Sequence, residues 1–152
     1  MKIITNSSAQ TKKLGADFAK KIMRKKNKKA LVLGLKGDLG SGKTTFLQGF
    51  AKGLGIKQKV LSPTFLIMKK LKRTGSNFFY HFDCYRVRKP KEILSLGFKE
   101  IISNPENIIG IEWADRVKKI LPKNTVWIGF EFVDRNKRKV QIRNKVFRFL
   151  RS

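Results

Sequence analysis

The sequence predicts an α/β domain: a mixed β-sheet with a parallel centre, flanked by helices. Three observations carry this. Ala30-Leu31-Val32-Leu33-Gly34-Leu35 is an apolar run of strand length. Gly37-Asp38-Leu39-Gly40-Ser41-Gly42-Lys43-Thr44-Thr45 follows with the spacing G-x-x-x-x-G-K-[ST], and Phe46, Leu47, Phe50, Ala51 and Leu54 then recur at helical spacing. Strand, glycine loop and helix is the order that a phosphate-binding loop requires. Beyond it, apolar strand-like segments and short helical ones alternate, with hairpins interrupting the βαβ units.

In chain order, Ile3-Ile4-Thr5 reads as a short edge strand. Ser7 or Ser8 caps a helix running to about residue 24, with Leu14, Phe18, Ala19 and Ile22 on its apolar face. Arg24-Lys25-Lys26-Asn27-Lys28-Lys29 is a solvated turn. After the loop and its helix, Gly53 and Gly55 suit a helix end. Ser62 precedes Pro63 and is pushed toward extended backbone. Residues 65–71 and 78–83 read as the strands of a hairpin turned at Thr74-Gly75-Ser76-Asn77. Pro90 opens a helix over 91–96 that Gly97 stops. Ile108-Ile109-Gly110-Ile111-Glu112-Trp113 is a short buried strand, and 114–121 a short helix limited by Pro122. Strands over 125–133 and 140–149 flank the polar turn Asp134-Arg135-Asn136-Lys137. With no repeat and no linker, residues 1–152 read as one domain.

Composition narrows the function classes. At 41% hydrophobic residues, the chain has the means to bury a core, which argues against disorder. Its one cysteine, Cys84, excludes a disulfide framework and a cysteine-rich metal site. That suits a reducing cytosol, so the expected location is cytoplasmic. No apolar run is long enough to span a bilayer, and Met1 to Asn6 offers no stretch of signal-peptide length. Lys and Arg number 36 against 10 Asp and Glu, a net charge of +26. Two readings fit that excess: a polyanion partner such as RNA, or a lysine-rich proteome that favours Lys, Ile, Asn and Phe alike. The lysines are spread along the chain rather than gathered in a stripe.

The loop chemistry is specific. Glycines let successive backbone N–H groups converge on phosphate oxygens, and the positive end of the following helix favours the same anions. Lys43 is placed to reach the β- and γ-phosphates, and the Thr44 hydroxyl to bind Mg²⁺. Asp83 and Glu112 each end an apolar strand, and ligands of open α/β sheets bind at such ends. Both acids therefore fit a site beside Thr44, one near the cation and one orienting the attacking water; a surface ion pair is the other reading of each. Asp38 fits turn chemistry as well as a catalytic role. Thr64 fits either a switch threonine that senses the γ-phosphate or a turn. His81 lies two residues from Asp83, on the same strand face, and fits a structural role or a place in the site. Trp113 reads as core by composition alone.

Together these motifs resemble the TsaE family (also called YjeE), small bacterial ATPases needed to make threonylcarbamoyladenosine in tRNA. The resemblance runs through the loop from Gly37 to Thr45, Ser62-Pro63-Thr64-Phe65, His81-Phe82-Asp83-Cys84-Tyr85-Arg86, then Glu92, Gly97 and Glu112-Trp113. It implies a single P-loop domain binding ATP and Mg²⁺. Lys43 and Thr44 match the phosphate and Mg²⁺ contacts, Thr45 supports the phosphates, and Gly37, Asp38, Leu39, Gly40, Ser41 and Gly42 complete the cradle. Glu112 matches the Mg²⁺-associated acid, Asp83 the acid required for hydrolysis, and Thr64 the switch-like loop. Trp113 matches a tryptophan near the nucleotide and the partner surface, and Thr11 a threonine near the adenine base. Arg138 is the nearest candidate for a late arginine that contacts the nucleotide in relatives. The resemblance further implies an ATPase, weak alone, that binds the TsaB–TsaD complex and lets it turn over, with tRNA reached indirectly or through the basic surface. On the loop alone, a small-molecule kinase is the alternative. Such kinases carry an arginine-rich lid, and the basic residues here do not group into one.

Overall fold

A computed structural model of the protein describes residues 1–23, 28–61, 66–74 and 77–143. Thr64 and its neighbours 62–65, the basic residues 24–27, turn residues 75–76 and the last expected strand beyond 143 lie outside them. Among the described residues a seven-stranded sheet runs β1-β7-β6-β2-β5-β4-β3. Its strands are β1 (Lys2–Thr5), β2 (Leu31–Lys36), β3 (Met68–Lys72), β4 (Phe78–Asp83), β5 (Ile108–Glu112), β6 (Val126–Phe132) and β7 (Arg138–Arg143). Strands β6, β2, β5 and β4 are mutually parallel, while β1, β7 and β3 add antiparallel margins. The mixed sheet with a parallel centre is therefore as expected, and β1 is an edge strand.

Helices cover both faces, which is why β2, β4 and β5 read as continuous apolar runs. Leu31, Leu33 and Leu35 of β2 pack with Phe18, Phe46 and Phe50 from helices α1 (Ser8–Ile22) and α2 (Lys43–Gly53). Val32 points the other way, into a cluster with Ile93 of α3 (Lys91–Leu94), Phe98 and Ile101 of α4 (Phe98–Ser103), and Ala114 and Val117 of a 3₁₀ helix (Ala114–Ile120). Ser7 caps α1 by accepting from the Gln10 amide at 3.1 Å.

Most boundaries fall within a residue or two of expectation, and three differences have a clear physical reason. Strand β3 begins at Met68, because Ile67 takes a left-handed φ of 59° that breaks the extended run. Gly97 does not end one helix over 91–96; its φ of 83° turns the chain between α3 and α4, and α4 forms because Phe98 and Ile101 bury against the second face. Strand β7 starts at Arg138 rather than Val140, since Arg138 pairs with Phe132 across the turn.

Candidate phosphate-binding site

Strand β2 delivers the chain to the glycine loop, and the loop opens directly into α2. Gly37 has φ 148° and lies so close to its neighbours that a Cβ there would meet Ser41 Oγ at 2.8 Å. Gly42, with φ 106°, precedes α2 and contributes no side-chain cap, so the first-turn amides of this helix are left for another acceptor. Ser41 N donates to Asp38 O at 3.1 Å, closing the turn. Lys43, only 5% exposed, folds back over the loop. Its ammonium donates to the carbonyls of Gly37 and Asp38, the latter at 2.9 Å, and sits 4.2 Å from the centroid of the Trp113 ring. Burial holds its pKa below the ordinary lysine value, against the pull of nearby Glu112, Asp38 and Asp83.

The strand-end acids reach the loop through register and parity. Asp83 of β4 lies beside Glu112 of β5, which lies beside Leu35 of β2. Phe79 and Ile108 face α2, so His81 and Asp83, spaced by two, and Gly110 and Glu112, spaced likewise, share that face. Both acids are buried, at 7% and 3% exposure, which removes the surface ion-pair reading. Thr44 Oγ1 donates to Glu112 Oε1 at 2.7 Å, and His81 Nε2 lies 2.7 Å from Glu112 Oε2. Asp83 Oδ1 accepts from the Tyr85 amide at 2.9 Å.

These groups open onto a cavity of about 520 Å³. Its walls bring together Thr11, Leu39, Gly40, Ser41, Gly42, Lys43, Thr44, Thr45, Asp83, Glu112, Trp113 and Arg138, scattered over the sequence. Gly37 and Asp38 do not line it. They face a second groove across Trp113 and act on the cavity through the carbonyls that hold Lys43. Thr64 lies outside the described residues. Thr11 is fixed from below by a 2.7 Å hydroxyl–hydroxyl contact with Thr5. Arg138 is steadied by the Asp134 and Lys137 carbonyls at 2.7 and 3.0 Å.

Sequence reasoning assigned no site role to Ser8, Tyr85, Arg135 or Asn136, which complete the wall, or to Arg116 beside it. Arg116 donates to the Tyr85 carbonyl and stacks 5.2 Å from the Tyr85 ring and 5.3 Å from Trp113. The sequence signal for this cluster was an aromatic within two residues of the end of each acid-bearing strand, Tyr85 after β4 and Trp113 after β5. Trp113 itself adopts φ 56°, turning the chain sharply after Glu112.

The donor set suits a hard divalent cation: one hydroxyl and carboxylate oxygens. Among the described residues no group of three or more His, Cys, Asp or Glu could hold a metal alone. Such a cation would take its remaining ligands from a bound phosphate and water, the usual habit of Mg²⁺ at phosphate sites.

Cys84 follows Asp83 but points into the second core and is fully buried. Burial, with the Asp83 charge beside it, pushes its thiol up to about 12 from 9.0. The native protein is therefore expected to resist iodoacetamide at pH 8 and to react once unfolded, measured by mass spectrometry. The sign for stability follows: the contribution is present below pH 9.0 and is lost as pH rises toward 12.

Known proteins share the sequence and fold of this chain. The family model described as Threonylcarbamoyl adenosine biosynthesis protein TsaE matches residues 5–140. The chain is 36% identical over 145 residues to the tRNA threonylcarbamoyladenosine biosynthesis protein TsaE of Rickettsia typhi, covering 95% of both chains. It is 33% identical over 122 residues to the protein of the same name from Haemophilus influenzae, covering 80% of this chain and 76% of that one. Among solved structures, Bacillus subtilis YdiB superposes with a TM-score of 0.74 at 32% identity, over 93% of this chain and 83% of the other. No helix among the described residues is long and apolar enough to cross a membrane.

Proposed function

This chain belongs to the TsaE family, and on that premise we propose that it binds and hydrolyses Mg–ATP as a cytoplasmic component of threonylcarbamoyladenosine synthesis in tRNA. One observation carries the reading most directly: the Thr44 hydroxyl and the Glu112 carboxylate meet at 2.7 Å where the glycine loop enters α2. Residues 68 apart in sequence are thus joined at the place where a phosphate-bound cation would sit.

In this mechanism the loop amides and the first turn of α2 bind the phosphate oxygens, and Lys43 neutralises charge that develops on the γ-phosphoryl group. Thr44 and Glu112 would hold Mg²⁺, which would supply charge neutralisation for the phosphates. Asp83, buried at the neighbouring strand end, orients a water and takes its proton. Thr11 and Arg138 flank the base and sugar end of the cavity. Hydrolysis is proposed to drive turnover of a TsaB–TsaD complex, with the exposed lysines available to tRNA.

Asp83→Asn separates binding from chemistry. The variant is expected to keep nucleotide affinity within about threefold while hydrolysis in the presence of TsaB–TsaD falls by roughly a hundredfold or more. Wild-type turnover in Asp83→Asn would remove Asp83 from the mechanism. Absence of nucleotide binding by the wild-type protein would remove the whole reading.

A further inference from the structure

A fully buried histidine lies against the acid of the cavity, below its surface. His81, the one histidine of the chain, is fully buried and stacks 6.4 Å from Phe79. Its Nε2 is 2.7 Å from Glu112 Oε2, while the other oxygen of the same carboxylate receives the Thr44 hydroxyl. A ring N–H donating to a carboxylate oxygen is the ordinary form of such a contact. Nδ1 then lies buried with no partner, one of two such side-chain atoms among the described residues. A buried polar atom left unpaired is costly, and an apolar ring would pack beside Phe79 without that cost. Packing alone does not call for a histidine here. Among the described residues the ring's one polar contact is with Glu112.

We propose that His81 is a positioning residue for Glu112. Its N–H anchors Oε2 and fixes the carboxylate rotamer that keeps Oε1 on Thr44. Hydroxyl and carboxylate are then held as a preformed pair at the start of α2, rather than assembling only when a cation arrives. Hydrogen-bonded partners behind a ligating group typically tune affinity in this way. The inference rests on the reading of the cavity as a Mg–ATP site.

The test is titration of a fluorescent ADP analogue in Mg²⁺ and in EDTA, for the wild type, His81→Phe, His81→Gln and His81→Asn. Glutamine places an amide N–H near the Nε2 position, whereas asparagine reaches only as far as Nδ1. His81→Phe and His81→Asn are expected to lose about tenfold of the Mg²⁺-dependent gain in affinity with EDTA affinity unchanged, while His81→Gln stays within about threefold of the wild type. A wild-type Mg²⁺ response in His81→Phe would overturn the proposal. So would an equal fall in affinity with and without Mg²⁺ in all three variants, since that is the mark of a merely structural residue. If His81→Phe does not fold, the Gln and Asn variants decide, and identical Mg²⁺ responses from them overturn it. A wild-type protein without any Mg²⁺ response would defeat the parent reading itself, a result distinct from an intact wild-type response that the variants leave unaltered.

Discussion

Lys43→Ala is expected to weaken ATP binding by roughly thirty- to a hundred-and-fiftyfold, the worth of a charge-assisted contact of about 2–3 kcal/mol. The residue is buried and its ammonium already rests on two loop carbonyls beside Trp113. A phosphate entering the cradle offers the same ammonium a full negative charge instead of carbonyl dipoles. Two effects oppose each other in the nucleotide-free variant. Removing the lysine relieves the desolvation that lowers its pKa. It also leaves the Gly37 and Asp38 carbonyls without that donor. The melting temperature is therefore expected to move by only a few degrees, since each kcal/mol is worth about 2–4 °C in a chain of this size. Calorimetric titration with ATP and a thermal melt separate the two quantities. Near-wild-type affinity in a folded Lys43→Ala would mean that the loop does not bind phosphate through Lys43.

Most of the fold was legible because its signals are local. The apolar run of β2, the glycine spacing and the helical recurrence through Leu54 each fall within a short stretch. The parallel centre followed from the alternation of strand-like and helical segments, with hairpins interrupting the βαβ units. The division of 91–103 into two helices was not legible, because Gly97 suits a stop and a start equally well and only burial of Phe98 and Ile101 decides. In the site, Asp83 and Glu112 were found from their strand-end positions. The partnership of Glu112 with His81 was not, because it depends on the lateral register of β4 against β5. A sequence shows that two residues lie on the same face of a strand but not which neighbour they meet. The Arg116–Tyr85–Trp113 cluster was hidden for the same reason. The second groove, across Trp113, draws Gly37 and Asp38 from the motif, a division of the loop that no spacing rule contains.

Gly49→Ala is expected to destabilise the protein although it improves local helix propensity. In an isolated helix the change would favour folding by about 1 kcal/mol. Here α1 crosses α2 so closely that a Cβ on Gly49 would stand 2.6 Å from the Lys12 carbonyl carbon and overlap its oxygen. Gly15 faces the Phe46 backbone, and Gly53 the Ala16 backbone, across the same contact. The obstacles are backbone atoms, which cannot rotate aside as side chains do, so the helices must separate. Separation opens the packing of Phe18 against Phe46 and Phe50, whose ring centroids lie 6.0 and 6.2 Å away. Overpacking of this kind costs about 1–3 kcal/mol and more where backbone must shift, which outweighs the propensity gain. A net loss of about 2 kcal/mol corresponds to a melting temperature lower by roughly 4–8 °C. Lys52→Ala, on the exposed side of α2, is the control and is expected to stay within about 0.5 kcal/mol of the wild type. The consequence extends to the site, because α1 carries Thr11 and α2 carries Lys43 and Thr44. Helices held apart at Gly49 move one wall of the cavity from the other, so nucleotide affinity is expected to fall along with stability. A Gly49→Ala protein as stable as the wild type would mean that the two helices do not approach so closely, and that the cavity is not set by their contact.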